Sequence, residues 1–157
     1  MPVVSLAEAA VLLPPRGGLI GLDLGTKTIG VAASDPDRRL AAPVETILRK
    51  RFSSDVRHLL ALTDERRAAG FVLGLPINMN GTEGPRAQAT RAFAKNLAAV
   101  TALPIALWDE RLSTAAVERA LIAADASREK RKAVIDQHAA AYILQGALDW
   151  LKRCTPA

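Results

Sequence analysis

Residues 19–32 read Leu19-Ile20-Gly21-Leu22-Asp23-Leu24-Gly25-Thr26-Lys27-Thr28-Ile29-Gly30-Val31-Ala32, and their pattern decides the fold. Two short apolar runs flank a tight Gly-Thr-Lys-Thr connection, which predicts a hairpin of strands over about 19–24 and 28–34. Side chains alternate along a strand, so Leu19, Gly21 and Asp23 share one face and Ile20, Leu22 and Leu24 the other. A carboxylate therefore sits in an otherwise apolar strand, where an unpaired charge costs on the order of several kcal/mol. A bound cation would offset that cost. A turn-initiating aspartate that accepts the N–H groups of Gly25 and Thr26 would do so equally well.

Working outward, Asp35-Pro36-Asp37 marks a turn and a third strand spans roughly 39–47, completing an antiparallel meander. Ser53 or Ser54 is the expected cap of a helix with Val56, Leu59, Leu60 and Thr63 on one face, ending at Gly70. Phe71-Val72-Leu73-Gly74-Leu75 is apolar almost throughout, the mark of a strand buried on both faces. After the polar loop 76–84, Pro85 suits the first turn of a helix in which Ala89, Phe93, Leu97 and Val100 recur at helical spacing. Pro104–Trp108 is a further buried strand leading into Asp109-Glu110-Arg111. Ser113 is placed to cap a helix with Val117, Ala120 and Leu121 inward. Residues 128–132 then form a basic connector to a last helix over about 133–152, with Ile135, Ala139, Tyr142, Ile143, Ala147 and Trp150 inward. Residues 1–18 read as an appendage, with a capping-box spacing at Ser5–Glu8 and a stop at Pro14-Pro15. The order implies an α/β domain over 19–153, a five-stranded mixed sheet of three antiparallel then two parallel strands, flanked by helices.

The chain has 157 residues and half of them are hydrophobic, enough for one domain with a substantial core. Twenty-one Lys and Arg against 16 Asp and Glu give a net charge of +5, which favours a polyanionic partner. The lone Cys154 excludes an intrachain disulfide and a multi-cysteine zinc site. No stretch approaches the roughly 18 apolar residues of a spanning helix, and the N-terminus lacks the pattern of a secretory signal. A cytoplasmic protein with no membrane partner is expected.

In such a sheet ligands favour the C-terminal ends of the parallel strands. Asp23 and Glu110 fall near strand ends, and Asp136 falls in the first turn of the expected last helix. Each has a plainer reading: a turn aspartate, a loop charge paired with Arg111, and a helix N-terminal acid worth about 0.3–1 kcal/mol. Together, three carboxylates suit hard cations such as Mg²⁺. Two such ions about 3.5–4 Å apart can drive an in-line phosphodiester displacement.

Four blocks in order carry a resemblance: Asp23–Ala32, Gly74–Thr82, Asp109–Thr114 and Ile135–Ala140. Over about residues 19–150 the chain resembles the Holliday-junction-resolvase-like proteins of the RNase H-like superfamily, also described as pre-16S rRNA nucleases. The resemblance implies an RNase H-like fold, with Asp23, Glu110 and Asp136 as catalytic carboxylates binding Mg²⁺ or Mn²⁺. It also implies a nuclease acting in maturation of the pre-16S ribosomal RNA 5′ end, with branched DNA as the alternative substrate. In the fourth block the family often places a small residue after the aspartate; here Gln137-His138 follow. His138 is a candidate proton donor to a leaving oxygen, or an ordinary surface or core histidine.

Substrate contacts are expected from Lys27, Asn78 and Arg111, and from Arg131 and Lys132 in the basic connector. Arg49-Lys50-Arg51 forms a second basic group. Three Phe, two Trp and one Tyr give little for base stacking, so recognition should rest on phosphates and shape. Partners are therefore structured precursor rRNA or branched DNA, and ribosomal particles; the oligomeric state stays open. Two other classes compete: a ribosome-assembly or nucleic-acid-binding factor without catalysis, and an ATPase. The Asp-x-Gly-Thr turn also resembles the phosphate loops of actin- and Hsp70-like proteins, but those enclose nucleotide between two such domains.

Overall fold

A computed structural model describes residues 3–112 and 128–154, and over 128–137 the backbone alone. Six strands, β1 (Val3–Ser5), β2 (Leu19–Leu24), β3 (Thr28–Ser34), β4 (Ala41–Leu48), β5 (Gly70–Leu75) and β6 (Ile105–Asp109), form one sheet in the order β1-β6-β5-β2-β3-β4. Among the described residues the helices are α1 (Leu6–Leu12), α2 (Phe52–Arg66), α3 (Pro85–Ala98) and α4 (Arg128–Cys154). Strands β2, β3 and β4 pair antiparallel, while β2, β5, β6 and β1 run parallel.

The mixed α/β sheet is the one expected, with one strand more. Residues 3–12 are not an appendage. Val3 and Val4 pair with Ile105 and Ala106 on the free edge of β6, and Leu6 and Ala9 of α1 enter the core. The Ser5–Glu8 cap forms as read, the Glu8 N–H donating to Ser5 Oγ at 3.2 Å.

Alternation sorts the strands into two cores. Leu19, Ala32, Val72, Ala106 and Trp108 pack under α1 and α4, while Ile20, Leu22, Leu24, Val31, Leu73 and Ile105 pack under α2 and α3. Glycine lets α4 lie close on the sheet: a Cβ on Gly21 would stand 2.7 Å from Leu144 Cβ and 3.1 Å from the Ala140 carbonyl.

The helices depart from expectation in register. α2 starts at Phe52 with Arg51 as its cap, two or three residues before the expected Ser53 or Ser54, and Phe52 packs on Phe93 with ring centroids 5.4 Å apart. The buried Asp55 carboxylate takes the capping role on the Lys50 N–H. α2 ends where Arg67 turns left-handed (φ 52°), since Gly70 is already committed to β5 beside Leu19. In α3 the inward residues are Ala87, Thr90, Phe93, Ala94 and Leu97; Ala89 is exposed and Val100 lies beyond the helix. α4 is longer than expected and absorbs residues 128–132, which form its first turns rather than a connector. Its buried stripe is Ala140, Ala141, Ile143, Leu144, Ala147, Leu148 and Leu151, with Ala139, Tyr142 and Trp150 only half-buried. Ile135 and the helix expected from Ser113 lie outside the described side chains and residues, respectively.

Candidate active site

The parallel strands β2, β5 and β6 end together, and two carboxyl groups meet there. Asp23 points from β2 toward α4, the face that alternation assigned it: its Cβ lies 3.6 Å from where a Cβ on its partner Gly30 would stand. Glu110 directly follows β6, its N–H donating to the Leu75 carbonyl of β5 at 3.2 Å. Strand β5 lies between β2 and β6, so the Glu110 side chain must cross it to reach Asp23. Gly74 makes the crossing possible. A Cβ there would stand 2.6 Å from Glu110 Oε1 and 2.9 Å from Glu110 Cγ.

The two carboxyl groups stand within hydrogen-bond reach of one another, a contact that favours the protonated form of Glu110. Burial and then the Asp23 charge push the Glu110 carboxyl up to about 7, and the Arg86 cation partly offsets the rise. Such a pair fits a divalent cation, which takes carboxylate oxygens and removes the repulsion that keeps one of them protonated. Among the described residues no group of three metal-ligating side chains gathers. The side chain of Asp136, the expected third ligand, lies outside the described ones, although its backbone is helical. Position 136 is the ninth of α4, not its first turn, so the helix N-terminal charge effect does not apply to it.

The turn reading of Asp23 meets a competitor. The Gly25 N–H, one of its two supposed donors, goes instead to the Thr28 carbonyl at 2.8 Å.

Comparison with known proteins now bears on this geometry. The profile of the RuvX family, described as Holliday junction resolvase, matches residues 17–150. The chain belongs to the RuvX family. A relative from Rhodopseudomonas palustris (strain BisA53), named "Putative pre-16S rRNA nuclease", is 71% identical over 150 residues, covering 96% of this chain and 92% of the relative. A Bradyrhizobium sp. (strain ORS 278) protein of the same name is 70% identical over 150 residues, covering 96% and 93%. Among solved structures, Thermus thermophilus RuvC in complex with Holliday junction substrate is similar with a TM-score of 0.57 at 12% identity, covering 88% of this chain and 97% of that one. At that identity the likeness shows a shared fold, the RuvC-like form of the RNase H-like sheet.

The other expected contacts are placed unevenly around this RuvX site. Lys27 is exposed in the β2–β3 turn. Arg111 lies close by, but its fork is spent on Asp109, with Nη2 2.7 Å and Nε 3.1 Å from Oδ2, and Nη1 3.4 Å from the Asn78 carbonyl. Those hydrogen bonds hold the Asp109 carboxyl below the usual carboxylate range. The loop around Asn78 is folded on itself: the N–H groups of Asn78, Gly81 and Thr82 bond to Thr82 O, Asn78 O and Asn80 Oδ1. Met79 stands exposed at its tip. Arg131 and Lys132 belong to α4 by backbone, and their side chains lie outside the described ones. His138 is half-buried, its ring centroid 6.2 Å from that of Tyr142.

Two residues near the carboxylates were not anticipated. Gly74 had passed as one more residue of a buried strand; a glycine inside an apolar strand, followed by Leu-Pro, is the signal that a neighbour crosses there. Arg86 carries no motif of its own, yet its charge reaches Glu110 and its Nη2 lies 3.3 Å from the Leu24 carbonyl.

Proposed function

We propose that this RuvX protein is a divalent-metal-dependent nuclease that hydrolyses a phosphodiester bond of precursor 16S ribosomal RNA. The observation that carries the reading is the meeting of Asp23 and Glu110 across Gly74 at the ends of the parallel strands. Two acids forced together in part-buried surroundings are costly to the fold and useful to a cation-dependent reaction. The substrate follows from the relatives of about 70% identity, named for pre-16S rRNA.

Asp23 and Glu110 would hold the metal, and Asp136 is assigned as the third carboxylate. The direction of α4 supports that assignment. Leu144 and Ala140 pack on Gly21 and Gly30, so the helix runs against β2, and position 136, one turn before Ala140, continues toward the strand end at Asp23. When bound, Mg²⁺ or Mn²⁺ supplies activation of water and stabilisation of charge on the phosphate oxygens. Glu110, raised to about 7, would give up its proton to hold a cation, and Arg86 adds positive charge beside it. Lys27, exposed in the β2–β3 turn, is assigned to the substrate backbone, as are Arg131 and Lys132 on α4. Asn78 and Arg111 are assigned to shaping the loop that borders the site. Ribosomal particles are the setting in which such a substrate is met. Among the described residues no helix is long and apolar enough to cross a membrane, in keeping with a cytoplasmic role.

A branched-DNA resolvase is the second reading, favoured by the family's description and by the neighbour solved with a Holliday junction. Purified protein offered both substrates, with Mg²⁺ or Mn²⁺ and with chelator, separates them. Site-specific cleavage at the 16S 5′ junction that chelator abolishes is expected. Cleavage of the junction DNA alone would transfer the function to the resolvase reading, and binding without any cleavage would favour an assembly factor.

A further inference from the structure

Among the described residues, the arginines of the loops and helices beside the strand ends divide into two kinds. Arg91 and Arg111 are neutralised within the chain, by Glu83 (2.7 Å from Nη2) and by Asp109 (2.7 Å from Nη2). Arg49 and Arg86 are not: among the described residues neither meets a carboxylate at ion-pair distance. Instead each rests on a backbone carbonyl of one turn, Arg49 Nη1 on Gly25 O at 2.7 Å and Arg86 Nη2 on Leu24 O at 3.3 Å. Arg49 is further steadied over the Phe93 ring, 5.9 Å from its centroid. The Arg86 backbone is tied by the buried Thr90, whose hydroxyl donates to the Arg86 carbonyl at 3.0 Å.

The two guanidiniums line a single cavity with Leu24, Gly25, Thr26 and Thr90, and no acid lines it. Two like charges brought into one cavity from separate elements repel, and each has spent one donor on a carbonyl while keeping others. An oxyanion with several acceptor oxygens answers both conditions, and a guanidinium fork matches a phosphate in particular. The cavity begins one residue beyond Asp23, around the end of β2 from the carboxylates, and Arg86 is near enough to act on Glu110.

We propose that this cavity seats a backbone phosphate of the bound nucleic acid, flanking the bond to be cut, with Arg49 and Arg86 as its two forks. The proposal rests on the nuclease reading. A strand lying across the β2–β3 turn then meets the cavity on one side and the carboxylates on the other. The seated phosphate fixes which linkage reaches the carboxylates, so the pair positions the substrate rather than reacting with it.

The test uses a fluorescent RNA oligonucleotide spanning the junction that the wild-type protein cleaves. Binding is followed by anisotropy across a salt series, with Ca²⁺ replacing Mg²⁺. Each lost phosphate contact flattens the log–log salt dependence by about 0.7–0.9, so R49Q/R86Q, which empties one phosphate seat, should lose roughly that much. A second arm replaces single phosphates beside the cleaved bond with neutral methylphosphonates. One such position should weaken wild-type binding and leave the variant unchanged, since the contact is already gone. Equal slopes, or a methylphosphonate penalty equal in both proteins at every position, would overturn the proposal while leaving cleavage, and the nuclease reading, intact. Wild-type protein that neither binds nor cuts the RNA sinks both. Should the double variant fail to fold by circular dichroism, Arg86→Gln alone is read by the same two criteria for one contact.

Discussion

Gly74→Ala isolates the step on which the geometry of the proposed active site depends, the passage of Glu110 across β5. The new methyl would stand 2.6 Å from both Glu110 Oε1 and Ile143 Cδ1, about 0.8 Å inside the 3.4 Å at which ordinary contact begins. All the obstructing atoms, Glu110 Cγ at 2.9 Å included, belong to side chains, so the backbone need not move and the protein should fold. Overpacking of this kind costs about 1–3 kcal/mol of stability. The larger effect falls on activity, since a displacement near 1 Å from reacting geometry costs about 10²-fold, or roughly 2.7 kcal/mol of transition-state stabilisation. Melting temperature and kcat/KM for RNA cleavage, measured in parallel, read the two effects. A second variant separates them: Ile143→Val in the Gly74→Ala background removes Cδ1, so it should recover stability without recovering rate. Wild-type kcat/KM in Gly74→Ala would show that Glu110 does not need to cross the strand, and would remove it from the catalytic site.

Asp23→Asn keeps shape and removes the charge that would hold the cation, so cleavage should fall by orders of magnitude, while the metal-free protein melts at a higher temperature because the Glu110 repulsion is gone. Mg²⁺ should then raise the melting temperature of the wild type more than that of the variant; an equal response would leave Asp23 a turn residue. The Glu110 carboxyl, raised from 4.5 to about 7, binds its proton more readily when folded. The resulting penalty is full above about 7, shrinks as pH falls through that value and vanishes below the unfolded 4.5. Chemical denaturation of metal-free protein should show this slope, and Glu110→Gln should abolish it; an unchanged slope in that variant would assign it elsewhere. Neutralising Arg131 and Lys132 should flatten the salt dependence of RNA binding by about 0.7–0.9 per lost contact, and an unaltered slope would leave them as solvated surface.

The β2–β3 hairpin and the facing of Asp23 could be read in sequence because a period of two is local: which side a residue takes depends only on its neighbours in the strand. The fully apolar runs of β5 and β6 announced burial on both faces for the same reason. Helix faces were read less well. In α4 the apolar residues surround much of the helix, and periodicity put Ala139 inward where the structure buries Ala140. Packing decided it, since Ala140 fits against Gly21 and Gly30. Strand β1 had no signal of its own. Three residues cannot show a period, and Val3–Ser5 becomes a strand only because the edge of β6 offers hydrogen bonds.

The site divides along the same line. Sequence alone supplied the acids, the strand ends at which they stand and the family to which they belong, because residue type and spacing are properties of the chain. Tertiary structure decided which charges meet. Parallel strand order sets Glu110 one strand away from Asp23, and a missing side chain at Gly74 lets it cross. The arginines were sorted by the fold as well, Arg111 onto Asp109, Arg49 and Arg86 toward a cavity without an acid. Charge is written in the sequence, but whether it is compensated depends on distance, and distance between remote residues exists only once the chain has folded.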